Sequence, residues 1–348
     1  MIVMLSVHHL LTQLFVEVGS KCALFCKHCS TMASPSGMEA IPLDRLYWLV
    51  DEGVALGLKK LTISGGEPLL YEESFKLSEY AIKKGIDVTI YSCGVFFDGE
   101  RRSPIGEDVF NNLKRIGVKN LIFSLHGNEK IQDYITGIKG SYKIVTKSIR
   151  IAVEKGFNVE IHTVPTALNF NKLEGIVLTA LELGVKKVSF LRVVPQGRLN
   201  EFPELILTRD QEKLLSSKLN RISKQYDIRL GSPWGCVTGD HKVKCTAGLN
   251  KILIGSNGNV YPCEAFKGAL RNKEDVSNIL FDGMGLKKIW EGDRYLNLVR
   301  ELNKHHLDVE GCMECDKYRI CHGGCHGQRL LRYDTISQGP DPGCVYNN

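Results

Sequence analysis

Between residues 13 and 195, short β-branched or alternating apolar runs give way repeatedly to longer stretches in which apolar residues recur every three or four positions. The short runs are QLFVEV, LTIS, VTIYS, LIFSL, VEIHTV and VSFLRVV, and their composition and period predict strands. Stretches such as LDRLYWLVDEGVALG and KIVTKSIRIAVEKG read instead as amphipathic helices. The helical stretches end at Gly57, Gly85, Gly117, Gly156 and Gly184, each just ahead of a strand, where a left-handed stop suits glycine. Six strands alternating with helices predict parallel βα units in an open sheet or partial barrel. Ligands in such folds gather at the C-terminal strand ends, and Cys22, Gly65-Gly66-Glu67, Cys93 and Ser124 fall there.

The alternation breaks at PQGRLNEFPELILT. Thr208 and Gln211 then form a capping-box start for the helix TRDQEKLLSSKLNRISKQ. Beyond residue 235 the texture changes: eight of the twelve cysteines lie there, among Gly-rich turns with little periodic core. KILIGSNGNVYPC reads as a hairpin turning at Asn257-Gly258. A chain of 348 residues is long for one core. It divides into an α/β domain over 1–200, a linker helix over 201–235 and a Cys-rich domain over 236–348 that needs metal to fold.

Composition narrows the setting. At 43% hydrophobic and 24% charged residues the chain is globular. Its apolar N-terminus lacks the basic flank and cleavage site of a signal peptide, and no run is long enough to cross a membrane. A cytoplasmic address with no membrane partner is expected. Twelve cysteines in such a chain point to metal rather than disulfides. The formal charge of +6 comes from Lys and Arg spread along helices, with no basic block, so no nucleic-acid partner is expected.

Cys22, Cys26 and Cys29 stand at C-x3-C-x2-C after the first strand. Four thiolates would close a zinc site or an iron–sulfur cluster, whereas three leave one iron of a four-iron cluster open. Together with SGGEP (Ser64 to Pro68) after the second strand, this loop resembles the radical S-adenosylmethionine (SAM) superfamily. The resemblance implies a partial (β/α)6 TIM-like barrel whose open iron chelates SAM and whose reducing electron gives a 5′-deoxyadenosyl radical. It implies further that Gly65 and Gly66 let backbone approach SAM, that Glu67 accepts from its ammonium, and that Pro68 completes the motif. His28 stands where an aromatic residue lies beside the adenine, and Ser124 in FSLHG resembles a SAM-contacting serine. One departure is plain: the family's Asp-x-x-Arg-Gly run is matched here by Asp133 followed by Thr136-Gly137. Arg192 on the sixth strand is a candidate for the missing arginine, or a structural barrel arginine. His126 and His162 point to the same rim and read as satisfied polar residues.

The later cysteines follow a second pattern: Cys245, Gly258 and Cys263, then Cys312-x2-Cys315-x5-Cys321-x3-Cys325, then Cys344. This resembles the SPASM extension of radical SAM enzymes, a small C-terminal domain with two auxiliary clusters. By that resemblance Cys236, Cys245, Cys263 and Cys325 hold one cluster, and Cys312, Cys315, Cys321 and Cys344 the other. Three [4Fe–4S] clusters would lower the formal +6 to about +1. Cys93 is left unassigned, at a strand end facing the expected chamber. It reads as a packed thiol or as the hydrogen donor of a redox-neutral epimerisation.

Three classes compete. An electron carrier has no use for an open-iron loop with GGEP, and a zinc scaffold fits the loop poorly, so the enzyme is favoured. SPASM proteins mostly modify ribosomally made peptides or proteins, while some act on sugars, nucleosides or antibiotic precursors. About twenty residues precede Cys22, too few for a leader-peptide reader, which weakens the peptide reading without removing it. A flavodoxin- or ferredoxin-type protein is the expected electron donor.

Overall fold

A computed structural model describes residues 9–231, 234, 245–281, 283–304, 309–335 and 338–346. Its strands are β1 (Gln13–Glu17), β2 (Lys60–Ser64), β3 (Asp87–Ser92), β4 (Val95–Phe97), β5 (Arg102–Pro104), β6 (Asn120–Ser124), β7 (Asn158–Thr163), β8 (Lys187–Phe190), β9 (Ile228–Leu230), β10 (Lys251–Ile254) and β11 (Val260–Tyr261). Nine of these form one sheet in the order β11-β10-β1-β2-β3-β6-β7-β8-β9. From β10 to β9 every described pairing is parallel, and β10–β11 alone is antiparallel. This is the partial TIM-like barrel of the α/β class.

Alternation along each strand sorts the side chains. On β6, Leu121 and Phe123 are buried in the apolar core, while Asn120, Ile122 and Ser124 occupy the other face. Register places Ser124 opposite His162 on β7. The rings of Phe15, Tyr91 and His162 meet edge to face, at 6.3 Å and 5.0 Å, although β2 and β6 lie between their strands. The three side chains therefore converge on one concave, largely polar face.

Local signals did most of the shaping. All five glycines expected to stop helices have positive φ, from +76° at Gly156 to +101° at Gly117. Thr208 and Gln211 form the reciprocal capping box on the helix Arg209–Gln225. β10 and β11 form the expected hairpin, with Gly258 at φ +84° in its turn.

Three features were not expected. β4 and β5 make a small separate hairpin. The sixth barrel strand ends at Phe190, so Arg192 lies beyond it and not on it. The sheet also crosses the expected domain limits, because β9 from the linker pairs with β8 and β10 pairs with β1. The C-terminal region has an apolar cluster of its own, built on Leu253, Tyr261, Phe266, Leu270, Val299 and Leu330.

Arg192 ties the last segment to the barrel. Its Nη1 and Nη2 donate to Asp341 Oδ2 and Oδ1 at 2.7 and 2.5 Å. The same carboxylate accepts from the amides of Cys325 (2.6 Å) and Gly343 (2.8 Å). Both side chains are buried, at 6% and 1% exposure. Removing one partner strands the other charge, which costs about 3–5 kcal/mol in such settings. Asp341→Ala should therefore lower unfolding stability by about that amount in urea titrations, and a loss below about 1 kcal/mol would show the pair to be incidental.

Candidate active site

The thiol loop leaves the end of β1 and is held almost wholly by main chain. Cys22 N donates to Ser34 O (2.9 Å), Phe25 N to Thr136 O (3.1 Å) and Lys27 N to Ile135 O (2.8 Å). Gly137, at φ +72°, follows that seat so closely that a Cβ would lie 3.1 Å from Phe25 O. Two arginines that the sequence did not single out finish the work. Arg198, 3% exposed, donates to the carbonyls of Cys26 (2.7 Å), Met32 (3.0 Å) and Ala33 (2.8 Å) and stacks over Phe25 at 3.6 Å. Arg102 Nε, from β5, donates to Ala23 O at 2.7 Å.

Cys22, Cys26 and Cys29 are free thiols close enough for their charges to interact. Burial pushes Cys26 and Cys29 up from the usual thiol range, and neighbouring thiolates add to it, with Arg198 opposing. Beneath the loop Glu17, at the end of β1, accepts from Thr31 Oγ1 (2.8 Å) and from Lys267 Nζ, which also donates to Thr31 (3.0 Å). A residue of the Cys-rich region thus reaches under the first thiol loop.

The GGEP turn packs closely against the chain that enters the thiol loop. A Cβ on Gly65 would fall 2.5 Å from Gly19 O, and one on Gly66 would overlap the Lys21 carbonyl. The glycines therefore allow close approach of the chain leading into Cys22. Gly66 N and Glu67 N bond Gly19 O and Lys21 O at 2.8 and 2.9 Å. Pro68 opens a short 3-10 turn, Pro68–Leu70. Glu67 is 0% exposed, and its carboxylate accepts from Leu69 N (3.0 Å), Ser92 Oγ (2.9 Å) and Cys93 N (2.6 Å). Burial raises its pKa, with those donors opposing. Through these donors it binds β2 to β3.

The remaining candidates divide. His28 and His126 meet edge to face at 4.4 Å, and neither Nδ1 has a hydrogen-bond partner among the described residues. Burial first, then a neighbouring cation, takes His28 down to about 4. His126 is also lowered, by burial and then by His28, and with its Nδ1 unmet among the described residues it is not the satisfied residue expected. His162 Nε2 lies 2.9 Å from Glu160 Oε1, as part of a group with Ser189 and Arg229, though its Nδ1 lacks a partner among the described residues. Ser124 sits at the strand end as expected. Arg192 is engaged by Asp341, in keeping with the structural alternative of its reading. Asp133 caps the next helix through Ser141 Oγ (3.0 Å) and Tyr142 N (3.0 Å). Cys93 follows β3 and is half-buried against the Cys22 thiol and the Glu67 carboxylate.

The C-terminal thiols fall into two neighbourhoods. Cys312, Cys315, Cys321 and Cys344 feel one another's charge. Cys245, Cys263 and Cys325 do likewise, and Cys236 lies outside the described residues. All eleven described cysteines are free. Among the described residues no three Cys, His, Asp or Glu converge as they would on one metal ion, whereas a four-iron cluster holds its thiolates on separate irons. The buried, mutually facing thiols and the partnerless imidazoles fit iron–sulfur clusters and a nucleoside ligand better than they fit a closed protein core.

Two family patterns match: the Radical SAM superfamily over residues 16–188, and SPASM, an iron–sulfur cluster-binding domain, over 245–316. The mycofactocin maturase MftC of Mycolicibacterium smegmatis is 26% identical over 341 residues, 94% of this chain and 81% of that protein. An AdoMet-dependent heme synthase of Methanosarcina barkeri is 24% identical, covering 95% of each. A PqqA peptide cyclase of Ruegeria pomeroyi is 26% identical, covering 94% and 86%. Streptococcus suis SuiB, solved with its precursor peptide SuiA, shares the fold at TM-score 0.74 and 18% identity, over 97% of this chain and 76% of that one.

Glu67→Gln places an amide NH2 where three donors already point, and one unmet buried donor costs about 1–3 kcal/mol. The variant should lose about that much stability in urea while the folded protein binds SAM as wild type does in equilibrium dialysis. Wild-type stability with weakened SAM binding would support the ligand-facing role.

Proposed function

The chain belongs to the radical SAM superfamily and carries a C-terminal SPASM iron–sulfur domain, and from that premise we propose that it modifies a ribosomally made peptide. When bound, the cluster and SAM supply a 5′-deoxyadenosyl radical that takes a hydrogen atom from an unactivated C–H bond. Cys22, Cys26 and Cys29 hold the SAM cluster. Cys236, Cys245, Cys263 and Cys325 hold one auxiliary cluster, and Cys312, Cys315, Cys321 and Cys344 the other. Gly65, Gly66 and the main chain around them border the SAM site, with His28 and His126 as neutral rings toward the adenine and Ser124 at its rim. The site has no Asp-x-x-Arg-Gly arginine, and Arg192 is occupied, so the methionine carboxylate is met by other donors.

The concave face carries the substrate reading. Glu160, His162 and Arg229 line it with hydrogen-bonding groups in one network, with the Tyr91 ring edge to face on His162, which suits the amide-rich backbone of a peptide more than an apolar ligand. Two of the relatives, a peptide cyclase and a maturase, and the peptide-bound SuiB fold support the same class. The heme synthase relative, matched along 95% of both chains, favours a second reading, a small-molecule substrate. A flavodoxin- or ferredoxin-type donor supplies the electron. The protein works in the cytoplasm, and no described helix is long and apolar enough to cross a membrane.

Fully reconstituted protein should hold about twelve irons, from three four-iron clusters. Arg198→Ala should cost about four of them, those of the SAM cluster, because it frees three loop carbonyls. An iron count that drops evenly across all clusters would mean general unfolding instead.

With dithionite and SAM, short peptides encoded beside the gene should stimulate 5′-deoxyadenosine release and change mass. Stimulation by a tetrapyrrole or sugar, and by no such peptide, would move the assignment to the second reading.

A further inference from the structure

Arg329 lies in the first turn of the helix His326–Tyr333 and is 0% exposed. Its Nε, Nη1 and Nη2 all lack a hydrogen-bond partner among the described residues. A guanidinium has five N–H donors and stays charged, and leaving it buried and unmet is among the costlier arrangements a fold can hold. The other buried arginines are not treated this way. Arg198 has three loop carbonyls, Arg192 has Asp341, and Arg300 donates to Gly248 O at 2.8 Å and Asn297 Oδ1 at 3.0 Å. No aromatic ring is stacked on Arg329 among the described contacts.

Its surroundings say what would meet it. The Gly323-Gly324 turn, between Cys321 and Cys325, bends under the guanidinium: both glycines have positive φ, and a Cβ on Gly323 would lie 2.8 Å from Nη1. The Cys312 thiol is an electrostatic neighbour, and it belongs to the group with Cys315, Cys321 and Cys344. A buried cation with no hydrogen-bond partner among the described residues therefore stands beside the Cys312 thiol, one of four that feel one another's charge, with the Asp341 carboxylate, already bonded to Arg192, as the other acidic neighbour. We infer that Arg329 is the built-in counter-ion of the cluster held by those four cysteines, donating N–H bonds to its sulfurs and raising its reduction potential.

The sign follows from charge. A four-iron cluster with four thiolates carries about −2, and about −3 after taking one electron from the external donor. A fixed positive charge and N–H···S bonds stabilise the more negative state more, so the potential rises. The inference rests on the ligand set proposed above, and the experiment separates the two.

Wild-type protein is reconstituted, its iron counted, and its clusters titrated potentiometrically with detection by electron paramagnetic resonance, alongside Arg329→Met and Arg329→Lys. Wild type with about eight irons and two transitions would overturn the ligand set and this inference with it. With about twelve irons in wild type, Arg329→Met should either lower one potential alone by about 59 mV or more, a tenfold change in a one-electron equilibrium, or lose that cluster alone. Should Arg329→Met fail to fold, Arg329→Lys decides: it keeps the charge without the fork and should lower the same potential by less. Full iron with every potential unmoved, in either folded variant, overturns the inference while leaving the ligand set intact.

Discussion

Negative charge taken out of water has to be met by fixed donors, and this fold leaves none of its eleven described cysteines exposed. Burial is the largest influence on Cys26, Cys29, Cys263 and Cys325, and in each case it opposes the thiolate that a cluster requires. The molecule answers with cations placed at each group. Arg198 and Lys267 face the first loop, and Lys251 faces Cys245 and Cys263. Lys251 is itself paired with Glu264 at 2.9 Å and lies over the Phe15 ring at 4.1 Å. Isolated ion pairs in such places add little stability. Their value here is that the positive charge is already positioned when an anion arrives.

The same charges join the two halves of the chain. Glu17 closes β1, the strand that leads into the thiol loop, and its partner Lys267 comes from the Cys-rich region. Gln196 bridges in the same direction, donating to Glu264 O at 2.8 Å and accepting from Gly268 N at 2.7 Å. With β10 paired alongside β1, the later region completes the seat of the first thiol loop as well as carrying its own thiols. A site assembled from both ends of a sequence is held by the whole core, which favours rigid placement over a mobile lid.

What could be read from the sequence was what short-range chemistry decides. Glycine stops, the Thr208–Gln211 box and the Asn257-Gly258 turn depend on neighbours within a few residues, and each stands in the structure. The thiol groups were legible because metal ligation imposes spacing. Other contacts are announced by no short motif: Glu67 bonds Ser92 and Cys93 across 25 and 26 residues. Arg192 meets a carboxylate 149 residues away, and Arg198 reaches its loop carbonyls across 165 to 172 residues. Nothing in PQGRLNE marks Arg198 as the clasp of a loop near the opposite end. Arg329 left no sequence signal either, since an amphipathic helix commonly carries an arginine and only burial makes this one unusual.

The departure at Asp133 to Gly137 shows how the site tolerates a lost charge. Asp133 still caps the helix Ser141–Glu154, and the Thr136 hydroxyl is taken up by Ser141 Oγ at 2.7 Å and Gln132 O at 2.9 Å. The main chain of the same turn supplies the two carbonyls that seat Phe25 and Lys27. The element therefore holds the thiol loop by backbone geometry, which needs Gly137 but no arginine. Positive charge arrives from the other side of the loop, where Arg198 bonds the Cys26 carbonyl and covers Phe25. One face of the loop is fixed by a neutral turn and the other by a cation, so the seat survives the exchange.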